Sequence, residues 1–148
     1  MERLNKRVFR RRTVPARLKG KFLSSAVFAS LLYGLEVCAC GTRDKRRLDG
    51  FFIRLAKRVL HLKYDFHLSY EEAERRLGVE RPSSILARNR LRWTGHMLRS
   101  EDEVLCEMLS YVPENGRRSR GRPRLRYYDT LKVDLAERST INSNINPS

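Results

Sequence analysis

The stretch Phe22-Leu23-Ser24-Ser25-Ala26-Val27-Phe28-Ala29-Ser30-Leu31-Leu32-Tyr33-Gly34-Leu35 runs 14 residues without a charge. Its reading decides the fold. A helix needs about 20 apolar residues to span a bilayer, so this segment is too short, and Glu36 stops any extension. A basic leader in front of it leaves a targeting peptide as the alternative. Leu23, Val27, Leu31 and Leu35 recur every four residues, and Phe22, Ala26, Phe28, Ala29 and Leu32 widen the stripe. That periodicity predicts a buried core helix from about Pro15 to Tyr33, apolar nearly all round and ended by Gly34.

Outward from this segment the pattern stays helical. Thr42 is placed to cap a second helix with Asp44 in its first turn, and Leu48, Phe52, Leu55, Val59 and Leu62 form its inner face. Ser69-Tyr70-Glu71-Glu72 fits a capping box and Gly78 a C-terminal stop, which predicts a short helix over Tyr70 to Leu77. Pro82-Ser83-Ser84 opens a fourth helix carrying Ile85, Leu86, Leu91, Trp93, Met97 and Leu98. Residues 102–112 can form a fifth, and a last short helix groups Tyr128, Leu131 and Leu135. Leu outnumbers Val plus Ile by 20 to 13, and Pro and Gly are sparse. The expectation is an all-α fold, a small helical domain of four or five helices with a basic extended C-terminal arm. Its divisions are a flexible basic leader (1–13), the helical domain (14–111), an Arg-rich loop (112–126), a short helix (127–137) and a disordered tail (138–148).

With 32 Lys+Arg against 17 Asp+Glu in 148 residues, the chain carries a formal charge of +15. The charge is blocked: residues 1–21, 42–63, 79–100 and 115–126 are basic, and those between are neutral or acidic. Segregated cations point to a polyanionic partner, DNA or RNA gripped through its phosphates. Six arginines, Arg117, Arg118, Arg120, Arg122, Arg124 and Arg126, fall in one run without an acid. Its Gly-Arg-Pro core resembles the minor-groove hook of AT-hook proteins. A localisation signal and a solvated linker are the plainer readings. Arg88, Arg92 and Arg99 lie close to one side of the fourth helix. Trp93, the single Trp, can share a face with His96. Trp93 reads either as a stacking platform or as packing, with packing preferred. On that preference the arm carries binding ahead of the helical arginines.

Other chemistry is poorly served. Cys38-Ala39-Cys40 and His61/His67 miss the spacing of zinc sites, and three cysteines are too few for a disulfide framework. No paired-acid, nucleophile-elbow, phosphate-loop or HExxH pattern occurs. Neither catalytic residues nor a metal, cofactor, small-molecule substrate or membrane partner is expected.

Three motifs occur in order: Leu31-Leu32-Tyr33-Gly34-Leu35-Glu36, Leu91-Arg92-Trp93-Thr94-Gly95-His96-Met97-Leu98-Arg99, and Gly116 to Arg126 followed by Asp129, Leu131, Asp134 and Leu135. Together, over residues 15–136, they resemble the C-terminal region of reverse transcriptases from non-LTR (LINE-like) retrotransposons, downstream of the polymerase palm. The family often has Trp where Cys38 and Tyr127 stand. The resemblance implies a thumb-side, non-catalytic nucleic-acid-binding segment of an RNA-directed DNA polymerase. The family's Tyr-x-Asp-Asp turn does not occur in the chain, nor does an endonuclease domain, so a truncated or decayed copy is implied. The place of action would be nucleus or cytoplasm, or the mitochondrion if the leader acts as a transit peptide.

Overall fold

Five helices make up the computed structural model, with no strand among the described residues, which are 8–100, 104, 107, 109 and 125–145. Helix α1 joins three stretches: an α-helix Ala16–Phe22, a π-helix Leu23–Phe28 and an α-helix Ala29–Leu32. Then come α2 (Thr42–Val59), α3 (Tyr70–Leu77), α4 (Pro82–Arg99) and α5 (Tyr127–Ile145). The leader before Val8, and the helix expected over 102–112 apart from helical positions 104, 107 and 109, lie outside the described residues. So does the arm before Leu125. Where one domain was expected over 14–111, the chain divides into two compact units, one of residues 1–33 and 42–85, the other of residues 34–41 and 86–148.

In the first unit, α1 keeps its apolar face but rotates it. The buried positions are Leu23, Val27, Phe28 and Leu32, so the aligned pairs are five apart, 23 with 28 and 27 with 32. A π-turn closes i to i+5 hydrogen bonds, which brings such pairs over one another. Leu31 turns out to 36% exposure, and Leu18 and Phe22 are also exposed. The expected stripe through Leu31 and all-round burial therefore fail. One widened turn shifts the register.

Phe28 meets Phe52 of α2 edge-on, with centroids 5.9 Å apart. Buried Phe52, Ala56 and Val59 complete that side. Ser69 caps α3 by accepting the Glu72 amide at 3.2 Å, and Gly78 ends it at φ 65°. Only the Ser half of the capping box takes this form, because Arg75 and Arg76 draw the Glu72 carboxylate. Asp49 of α2 accepts from the amide and hydroxyl of Ser83 (3.1 and 2.7 Å), satisfying the first turn of α4 behind Pro82. Arg81 is held by Glu74 and lies 4.9 Å from the Tyr70 ring centroid.

Two contacts are unusually close or unusually buried. A Cβ on Gly20 would stand 2.0 Å from the Leu77 carbonyl oxygen, so α1 and α3 touch backbone to backbone there. Lys19, only 3% exposed, donates to the Val59 carbonyl at the end of α2 (3.1 Å) and sits 3.2 Å from His61 Nε2. A cation at a helix C-terminus complements the dipole. Desolvation lowers the Lys19 pKa. Desolvation, then the Lys19 and Arg12 charges, hold His61 below its ordinary value of 6.5.

Three outcomes are expected in this unit. Gly20→Ala forces the helices apart and should cost about 1–3 kcal/mol in a urea titration, the range for overpacked sites. Gly50→Ala meets only the flexible Arg54 guanidinium at 3.7 Å and should gain up to about 1 kcal/mol from helix propensity. For His61, the folded state binds the proton less well than the unfolded chain. Its stabilising contribution is complete above about pH 6.5 and fades as pH falls through the depressed folded value. Thermal melts between about pH 7 and pH 5 should show this loss, and His61→Gln should flatten that part of the profile.

Candidate nucleic-acid interface

The second unit is organised around a charge. In this unit the buried positions of α4 are Leu86, Arg90, Thr94 and Met97; of the expected Ile85, Leu86, Leu91, Trp93, Met97 and Leu98, only Leu86 and Met97 are fully covered. Leu98 is 63% exposed. Arg90 is fully buried, and its Nη1 donates to Asp134 Oδ2 of α5 at 2.5 Å. Its Nη2 donates to the Cys38 carbonyl at 3.2 Å. One guanidinium therefore ties α4 to α5 and to the 34–41 segment. Sequence reasoning passed over Arg90. The available signal was a charged residue four from Leu86 and four from Thr94, in the middle of a helix face.

On α5, Thr130, Leu131 and Asp134 are buried while Tyr128 and Leu135 are exposed, so the expected Tyr128/Leu131/Leu135 face is corrected. The pull of Arg90 on Asp134 sets the helix rotation. The helix also continues to Ile145, through positions assigned above to a disordered tail. Tyr127 opens α5. Its hydroxyl donates to the Glu36 carbonyl (3.0 Å) and lies 3.2 Å from Thr94 Oγ1, and burial pushes its phenol pKa up. Its ring meets Trp93 edge-on at 6.3 Å.

With its inner side committed to Arg90, α4 turns a different set of side chains outward. Glu36, Asn89, Arg92, Trp93, His96 and Arg99 line an open cleft of about 380 Å³. Trp93 is half-buried, and Arg92, His96 and Arg99 are exposed. Packing against Tyr127 holds the indole at its inner edge while it borders the cleft. Trp93 thus shares both readings, with the His96 ring beside the cleft instead of beneath it. Arg92 Nη2 donates to Asn89 Oδ1 at 3.3 Å. The Arg99 guanidinium folds back to 3.3 Å from where a Gly95 Cβ would stand, so Gly95 makes room for it.

Arg88, Arg92, His96 and Arg99 fall within a narrow sector of α4 by helical geometry. Arg88 does not line the cleft. Arg117, Arg118, Arg120, Arg122 and Arg124 lie outside the described residues. Arg126 is described: its amide donates to Asp129 Oδ2 at 3.3 Å at the start of α5. The end of the arginine run is thereby fixed one residue from Tyr127, which packs on Trp93 in the same unit. Arginine forks, an imidazole and an accessible indole edge can together hold phosphates and stack a base. Among the described residues, no three His, Cys, Asp or Glu side chains gather as a metal would need, and no helix is long and apolar enough to cross a membrane. No family model, no curated protein and no solved structure matches the chain.

The Arg90–Asp134 pair supplies a stability test. Asp134→Ala leaves a buried guanidinium uncompensated and should cost about 3–5 kcal/mol. Replacing both residues together by Met and Leu should cost much less than Asp134→Ala alone, because no charge is then left buried. Urea unfolding of the three proteins measures this directly.

Proposed function

We propose that this chain is a non-catalytic nucleic-acid-binding segment of a retrotransposon reverse transcriptase, similar to the C-terminal region of the non-LTR enzymes. In its parent RNA-directed DNA polymerase it would grip template RNA or the primer–template duplex, acting in the nucleus or cytoplasm. The observation that supports this is the outer face of α4. Arg92, His96 and Arg99 border a cleft with Trp93, and the arginine run ends at Arg126 beside Tyr127, the partner of that same Trp. Phosphates would meet guanidinium groups while an unpaired base stacks on the indole edge. Such contacts position a strand and carry little sequence information.

The only Trp of the chain lies in this cleft, so its fluorescence reports occupancy. Titration with single-stranded RNA should quench Trp93, and log affinity should fall linearly with log salt, by about 0.7 per neutralised phosphate. Arg92→Ala with Arg99→Ala should lower that slope by up to about 1.4, twice the single-strand value. Arg120, Arg122 and Arg124 replaced together by Ala should lower it further. Salt-insensitive or absent binding, or binding that leaves both the indole signal and the Arg92/Arg99 slope unchanged, would overturn the assignment.

A further inference from the structure

The α2 helix carries a second basic face in the other unit. At 100° per residue, Arg43, Arg46, Arg47, Arg54 and Arg58 fall on the side of α2 opposite Phe52, Ala56 and Val59, and all five are exposed. Among the described residues no guanidinium group of the five is held in a hydrogen bond or ion pair. The acids of this helix stand outside the row: Asp49 is spent on Ser83, and Asp44 lies on its flank, about 60° around the cylinder from Arg47. Where Gly50 would leave a gap in the row, the Arg54 guanidinium folds back over it, 3.7 Å from the position of a Cβ.

Helix stability alone would not select this arrangement. Arg43/Arg47 and Arg54/Arg58 are like charges four apart, which repel. Arg43 and Arg46 stand in the first turns, where the dipole disfavours cations. A face made only for solubility would mix signs. Complementary charge supplied from outside relieves all of these repulsions together.

We infer that the exposed face of α2 is a docking surface for the phosphate backbone of double-helical nucleic acid. Arg43 to Arg58 spans roughly 22 Å at 1.5 Å per residue. A duplex offers one phosphate per strand about every 3.4 Å along its axis and turns once in about 10 bp, so over this length the row meets the few phosphates of the two strands that the winding brings to its side. The array is straight and held on a packed helix, as a stiff duplex requires. The one aromatic side chain beside the row, Phe51 on its flank near Arg47 and Arg58, is half-buried, so the face offers guanidinium groups far more openly than a platform for the bases of a single strand. The surface is therefore expected to read backbone and not sequence. The inference shares with the proposal above only the class of partner, since its residues belong to the other unit.

The test compares the full chain with R43Q/R47Q/R54Q/R58Q, binding a 20-bp duplex and a single strand of the same length across about 50–200 mM salt. Gln is a good helix former, and circular dichroism checks that the variant folds. The control R10Q/R11Q/K21Q/K63Q removes the same charge from exposed positions off this face. The α2 variant should lower the duplex slope by up to about 3.6, four times the duplex value, and leave the single-strand slope nearly unchanged. The control should change both little. An unchanged duplex slope in the α2 variant, with a lowered single-strand slope in R92A/R99A, would overturn the α2 surface while leaving the α4 site standing. Equal losses in the α2 variant and the control would overturn it in favour of net charge. A parent chain that binds neither probe would overturn both readings.

Discussion

A guanidinium buried without water must find its acceptors inside the protein, and in this chain Arg90 finds them on two other segments. Desolvating a charge is costly unless a counter-ion and hydrogen bonds replace the water. Asp134 and the Cys38 carbonyl meet that requirement at the two Nη atoms, while Nε has no hydrogen-bond partner among the described residues, so the rotation of α5 and the course of residues 34–41 are set by Arg90. The same rotation brings Tyr127 onto Trp93 and its hydroxyl to the Glu36 carbonyl. The outer side of α4 then has Arg92, His96 and Arg99 beside the indole. An interior ion pair thus determines which basic residues remain outside. Apolar side chains of similar volume could fill that space with comparable stability. They would not specify the rotation of α5 with the same directionality.

The acids of the described chain are used in a consistent way. Asp49 caps α4, Glu71, Glu72 and Glu74 engage Arg75, Arg76 and Arg81, and Asp134 neutralises Arg90. These contacts lie at helix ends, turns and the interior. Among the cations they leave over, Arg43, Arg46, Arg47, Arg54 and Arg58 lie along the outer face of α2 and Arg92 and Arg99 along that of α4, so part of the net charge of +15 is gathered into two stripes. Two glycines serve both stripes alike: Gly50 and Gly95 each leave space for the arginine four residues on to fold back.

Helix positions were largely legible in the chain because their signals are local. Ser69 and Gly78 bracket α3 where expected, and α2 begins within a residue of its anticipated start. Gly34, at φ 72°, ends α1's run in a conformation that suits glycine. Face assignments were less legible. In α1 the π-turn moved burial from Leu31 to Leu32, and periodicity at 3.6 residues does not anticipate a turn of different pitch. In α4 an arginine occupied the interior position that hydropathy would give to Leu91 or Trp93. The basic character of the candidate site was visible in the sequence, whereas its cleft, with Asn89 and Glu36 in the lining, was not.

The sequence by itself determined that the chain is helical, where its helices start, where α1 and α3 stop, and that its cations cluster. Each of these depends on residues within a turn or two of one another, through capping, propensity and like-charge spacing. Only the tertiary structure decided which side of each helix is covered. That choice turns on pairs far apart in the chain: Arg90 with Asp134, Gly20 with Leu77, Tyr127 with Glu36. A buried polar group is tolerated only where its partner stands within hydrogen-bond reach. No local pattern specifies where a partner tens of residues away will be.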